Sequence, residues 1–330
     1  MLFSKEDIIS CYGWRKLADY IYEKSTGLDN LPESGQICWS PTNHIKDLFS
    51  RLEGSGKSVI LISSFCDWGL ALQQEYQPCN DLIEYAKILV RQYGKEIGFN
   101  GIQIPPRVDI NKCNPNHKYV LRTNNFTHET FPEIPKEIKK WYLVNNQLPL
   151  DYNNKIINIP FGIQMNSEER WVENADFNSK RDKKYYICWM DYTLERADIK
   201  NTFRKYPDIA TVIETEVPHN TFRDHLKEHQ MVIASESVGL DTFRMLESLY
   251  CGAIPIIKYN PTNLGLALPC IFYETIDDLL NKEHIDYAYK SVLEVINNKP
   301  EVLDKIKFSY WKSVIANERK KLLSGEYNND

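Results

Sequence analysis

The stretch that most constrains the fold is residues 230–258, QMVIASESVGLDTFRMLESLYCGAIPIIK. Met231, Val232, Ile233 and Ala234 form an apolar run of strand length, and a Ser/Gly turn leads from it into a helix opened by Asp241 and Thr242. Gly252 stops that helix, and Ala253 to Ile257 begin a second apolar strand. Such a strand-helix-strand unit belongs to a parallel sheet. Along its helix Asp241, Arg244 and Glu247 recur every three residues and share one stripe, while Phe243, Leu246, Leu249 and Tyr250 form a broad apolar face suited to a sheet. An acid and a guanidinium are thereby displayed near the carboxyl edge of a sheet, where open α/β folds take ligands.

Short apolar runs ending in polar or turn residues recur along the chain. Val59–Ile62, Ile102–Ile104, Tyr119–Leu121, Trp141–Val144 and Ile156–Ile159 suit the strands of a first α/β domain; Tyr185–Trp189, Ile209–Ile213 and Cys270–Tyr273 suit a second. Residues 1–57 have the pattern of helical cover. Trp14, Leu17, Ala18, Ile21 and Tyr22 fall at helical spacing, and Ser40-Pro41 is placed to cap a helix containing Ile45, Leu48, Phe49 and Leu52. A further helix is predicted over 81–93, and Asn260-Pro261-Thr262-Asn263 as a loop. The polar segment 164–184 suits an inter-domain connection. A chain of 330 residues accommodates about two domains, expected at 1–170 and 171–300. A segment at 301–330 would pack back across the junction through Leu303, Ile306, Phe308, Trp311 and Ile315, fraying from Lys320.

A formal charge of -5, with Lys and Arg dispersed among Asp and Glu, disfavours a general nucleic-acid binder yet permits a local positive cleft for a phosphorylated ligand. MLFSKEDIIS carries the pattern of neither a secretory signal nor a membrane anchor. The eight cysteines contain no CxxC pair and several lie in strand-like runs, so reduced thiols and a cytoplasmic location are expected. Gly54, Gly56, Lys57 and Ser58 superficially evoke a phosphate loop, but they precede a strand and lack the GxxxxGKS spacing. Glu214, Glu216 and His219 cluster without HExxH, DxD or a close histidine pair, so no metal site is expected; no GxGxxG supports a dinucleotide enzyme.

Three further positions carry potential chemistry. Asp67, just past the strand at 59–62, could accept a proton from a nucleophile, although an Asx turn or helix cap accounts for it equally well. Arg196, near a helix start after Tyr185–Trp189, could reach a phosphate; a surface ion pair with Glu195 or Asp198 is the alternative. His128 and Glu129 could line a cleft, a solvated surface histidine being at least as good an account.

Residues 235–258, SESVGLDTFRMLESLYCGAIPIIK, resemble the carboxyl-terminal signature of exostosin-like glycosyltransferases, a two-domain family with algal-virus and bacterial relatives. Gly239, Asp241, Thr242, Arg244, Glu247, Leu249, Gly252, Ile254 and Pro255 fit its Gly-Asp-x-x-Arg-x-x-Glu-Ala-Leu-x-x-Gly-Cys-Ile-Pro-Val core. Leu240 intervenes after Gly239, Ser248 stands for Ala and Ala253 for Cys. The likeness extends diffusely over 140–275, through VNNQ at 144–147 and NIPFGI at 158–163, and is loose in the amino-terminal half.

This resemblance implies an α/β fold of the GT-B type, two facing Rossmann-like domains across a deep cleft, with acceptor bound by 1–170 and donor by 171–300. It implies a metal-independent, inverting transfer from a nucleotide sugar, UDP-sugar favoured, to a glycan or glycoprotein hydroxyl, with no cofactor beyond that co-substrate and no nucleic-acid or transmembrane partner. Ser235, Ser237, Gly239, Asp241 and Thr242 would line the donor site, Arg244 and Arg196 would stabilise the diphosphate, Glu247 would accept ribose hydroxyls, and Asp67 would be the base. Turn capping is an equally good account of Ser235 and Ser237. A GDP-fucose-dependent fucosyltransferase and a noncatalytic glycan-binding module are the alternatives.

Overall fold

Among the described residues, two five-stranded sheets, parallel at every pairing, organise the fold. The computed structural model describes residues 4–23, 30–64, 133–146, 154–164, 171, 175–189, 193–237 and 239–329. The first sheet holds β1 (Tyr20–Ile21), β2 (Ile37–Trp39), β3 (Val59–Ser63), β4 (Ile138–Leu143) and β5 (Ile156–Asn158) in that spatial order. The second holds β6 (Lys183–Cys188), β7 (Ala210–Ile213), β8 (His229–Ala234), β9 (Ile254–Lys258) and β10 (Ile271–Tyr273), in the order β7-β6-β8-β9-β10. Continuous apolar runs build the inner strands because a covered parallel strand has no solvent face: every residue of β3 and the first four of β9 are buried. The described α-helices are α1 (Ile45–Leu52), α2 (Leu194–Phe203), α3 (His219–Glu228), α4 (Phe243–Tyr250), α5 (Pro261–Leu266), α6 (Ile276–Leu280), α7 (Lys282–Asn298) and α8 (Phe308–Ser324). The architecture is mixed α/β, compatible with a two-domain Rossmann-like arrangement.

One hydrophobic core runs through both halves. It joins Trp14, Ile60 and Tyr142 of the first to the second sheet and to Trp311, while a smaller cluster sits between α1 and the first sheet, with Phe49 edge-on to Trp141 at 5.2 Å. Trp14 lies 5.8 Å from Phe308 and 6.0 Å from Trp311, bringing α8 onto the first half. Tyr250 is a second link: its buried hydroxyl accepts the Ile9 amide (2.9 Å) and donates to the Ile306 carbonyl (2.8 Å).

Several expectations from the sequence are corrected. Residues 14–22 are not a helix: a 3-10 turn over Gly13–Leu17 gives way to β1, whose neighbour Tyr22 donates its amide to Trp39 O. Trp14, Leu17, Ala18 and Ile21 pack on the main hydrophobic core and Tyr22 on the smaller cluster, so burial and not a helical face accounts for their apolar character. Ser40 is no helix cap, since its amide continues the ladder to Ile62 O and Pro41 is extended; a 3-10 turn, Thr42–His44, intervenes before α1. Asn260 opens a helix rather than a plain loop, accepting the Asn263 amide as N-cap with Pro261 in the first turn. Residues 164–184 are not a solvated connection throughout, because Trp171, Ala175, Phe177 and Arg181 are buried. The last helix continues past Lys320 to Ser324, where Gly325 turns left-handed.

The strands at 102–104 and 119–121, the helix at 81–93, Asp67, His128 and Glu129 lie outside the described residues. Among the described residues, Cys11, Cys38, Cys188, Cys251 and Cys270 form no disulfide bonds with one another. Among the described residues no helix is long and apolar enough to cross a membrane.

Candidate functional site

The second sheet locates a site by its topology. After β6 the chain places β7 on one side and β8 on the other, and the loops leaving β6 and β8 diverge at this reversal. Open parallel sheets bind ligands at the carboxyl ends of strands flanking such a point. Most of the proposed donor-site residues stand on those two loops and on the helices they open.

Two arginines cross the reversal in opposite directions. Arg196 leaves the first turn of α2, whose cap Thr193 accepts its amide at 3.3 Å. Its Nε donates to Glu236 O (2.8 Å) and its Nη2 to Ser235 O (3.0 Å), with the guanidinium 5.4 Å above the Trp189 ring. The expected alternative of a surface ion pair is corrected: Arg196 is buried and Glu195 pairs with Lys258. Arg244, from α4, reaches the other way, donating Nε to Cys188 O at the end of β6 (2.8 Å) and Nη1 to the Glu247 carboxylate. It also lies 4.3 Å above the Phe222 ring, a contact worth about 2 kcal/mol when shielded from water. Burial opposes the charge of Arg244, yet Glu247 raises its pKa above the ordinary guanidinium value. The pair is graded toward the outside, with 25% of the Arg244 side chain exposed against 7% of Glu247.

The loop between β8 and α4 is tightly folded. Ser235 is buried, the Ser237 amide donates to Gly239 O at 3.0 Å, and Thr242 is the N-cap of α4, its hydroxyl buried without a partner.

Asp241 departs from the stripe expected of it. It precedes the cap, so its side chain is not set by helical spacing and turns toward the first half. There Oδ2 accepts the Phe161 amide (2.6 Å), while its own amide donates to Asn145 Oδ1 (2.7 Å). Phe161 stacks on Phe243 at 4.8 Å, and Asn158 donates to Thr262 O (3.2 Å) while accepting from Asn146 (2.8 Å). Asn145, Asn146, Asn158 and Phe161 thus form a seam against the loop between β8 and α4 and the start of α5.

Burial pushes the Asp241 carboxyl up to about 7 against the lowering pull of the Phe161 and Thr242 amides. Its folded value lies above the unfolded one of about 3.9, so its contribution to stability is full below pH 4 and is lost as pH rises through 7. Asp241→Asn keeps an acceptor for Phe161 and removes the ionisation. Its melting temperature should therefore fall less than that of the native chain between pH 5 and pH 8.5; an identical fall in both would reject the assignment.

Sequence reasoning missed Glu236. This half-buried carboxyl stands two residues past β8; Asn260 Nδ2 donates to its Oε1 at 2.7 Å. Burial pushes it up to about 7 against the lowering effect of Asn260. Its signal was position alone, an acid immediately after a buried strand. Glu214 is engaged elsewhere, in a two-point pair with Arg204 (2.6 Å each), and His219 packs edge-on to Trp171 at 5.0 Å. Among the described residues no group of three or more His, Cys, Asp and Glu side chains could hold a metal ion. Comparison with protein-family models and with curated proteins returned no match.

Proposed function

We propose that the chain is a glycosyltransferase of the exostosin-like kind, with a GT-B arrangement, moving a sugar from a nucleotide-sugar donor, UDP-sugar favoured, to a glycan hydroxyl. The observation that carries it is the crossed pair of arginines at the strand-order reversal of the second sheet, with Glu247 held beside Arg244. A nucleoside diphosphate leaving group develops negative charge, which pre-placed guanidinium groups stabilise without reorganising at the moment of reaction. Arg244, the more exposed member of its ion pair, is the cation presented for this; Glu247 orients it and offers carboxylate to ribose hydroxyls. In this proposal the reaction inverts the anomeric centre without a metal ion, with Asp67 as base.

The test is donor binding and transfer in the presence of EDTA. Glu247→Ala should raise the dissociation constant for the nucleotide sugar about tenfold or more, since it removes a charged hydrogen-bond acceptor and releases Arg244. Unchanged donor affinity would remove Glu247 from the site. Transfer that strictly required an added divalent ion would overturn the metal-independent mechanism.

A further inference from the structure

Resting on that reading, we infer that Glu236, gripped by Asn260, forms a subsite for the hydroxyl groups of the transferred sugar, separate from the Arg244–Glu247 pair. Glu236 stands in the loop that leaves β8 at the strand-order reversal, and both its backbone and its carboxyl are fixed. Arg196 holds its carbonyl at 2.8 Å, and Asn260 Nδ2 holds Oε1 at 2.7 Å. Asn260 is fixed in turn, because its Oδ1 caps α5 by accepting the Asn263 amide at 2.8 Å.

The neighbourhood has the chemistry of a hydroxyl reader. A carboxylate serving only the fold would be expected to take a cation. Here Lys258 forms its ion pair with Glu195, and Lys258 and Arg196 act on the Glu236 carboxyl only through their charge, so among the described residues the amide of Asn260 is the one side chain in hydrogen bond with that carboxyl. Beside the cluster lies Tyr273, 1% exposed, with Lys258 5.3 Å above its ring. Half-burial has already removed much of the water from Glu236, as its raised pKa reports. A carboxyl so placed gains most from a ligand rich in hydroxyl donors, and a site built this way discriminates sharply against a group lacking them. The Arg244–Glu247 pair would then hold the nucleotide, and Glu236 would align the sugar it carries.

The experiment uses the full chain with UDP, GDP, UDP-glucose, UDP-galactose and GDP-fucose as probes, comparing native protein with Glu236→Gln and, as a second variant, Glu236→Asp. Binding is followed by calorimetry and transfer by mass analysis of products. The expected result is an affinity for the matching nucleoside diphosphate within about twofold of native, with kcat/KM for the sugar nucleotide lowered about tenfold or more. Native-like transfer in both variants, or equal losses toward nucleoside diphosphate and nucleotide sugar, would overturn the subsite while leaving the glycosyltransferase reading standing. Native protein that bound none of the nucleotide sugars would overturn both.

Discussion

Arg181→Met should lower folding stability by about 4 kcal/mol, a value typical of breaking a buried, hydrogen-bonded charge network. Arg181 lies in the segment before β6, and its guanidinium serves four carbonyls at once. Nη1 donates to Leu226 O (2.8 Å) and His229 O (2.9 Å), and Nη2 to Asp176 O (3.0 Å) and Cys251 O (2.8 Å). These belong to the end of α3, the start of β8, the incoming segment and the end of α4. Burial pulls its pKa below the ordinary guanidinium value, though a guanidinium stays charged at any working pH. Methionine matches the stem but supplies no donor, leaving four acceptors to be satisfied by water or left unmade. Urea unfolding measures the loss directly; a change under about 1 kcal/mol, below the usual worth of even two such bonds, would show that the carbonyls find other partners.

Gly252→Ala is expected to cost about 3 kcal/mol or more at a neighbouring point, from left-handed strain together with overpacking. Gly252 ends α4 at φ 72°, its amide reaching Leu249 O (3.1 Å) while Ala253 N reaches back to Ser248 O (3.0 Å), the paired bonds of a Schellman cap. A Cβ there would stand 2.7 Å from Asp176 O and 2.8 Å from Arg181 Nη2. Neither can retreat easily, because they are bonded to each other. The penalties of the two substitutions should therefore not add, and a double mutant losing the full sum would argue against a shared clamp.

Much of the second sheet was legible because buried parallel strands are continuous apolar runs and α4 carries two unlike faces. The first sheet was harder. β1 and β2 span two and three residues, too short for any period to show, and apolar residues around Trp14 and Ile21 satisfied a helical pattern by coincidence. Arg181 left no local trace, since three of its four acceptors come from distant parts of the chain. The site divided in the same way. Arg244 and Glu247 were legible from their spacing on one helix. The turning of Asp241 toward Phe161, the grip of Arg196 on the loop after β8, and the exposure of Glu236 to that edge depend on which strands become neighbours, an order that no local pattern encodes.

The phenol of Tyr250, shared between Ile9 and Ile306, also sets an order of events during synthesis. Residues separated by 241 positions must meet before the first of its two bonds forms, and the second waits for residue 306 to emerge. Parallel pairings of β6 to β10 close shorter loops and can form while α8 is still unmade. The amino-terminal residues 8–14 meanwhile lack the partners that later cover Trp14. During synthesis the aromatic surface of Trp14 therefore stays uncovered on that side until Phe308 and Trp311 are made, an interval in which apolar surface favours aggregation.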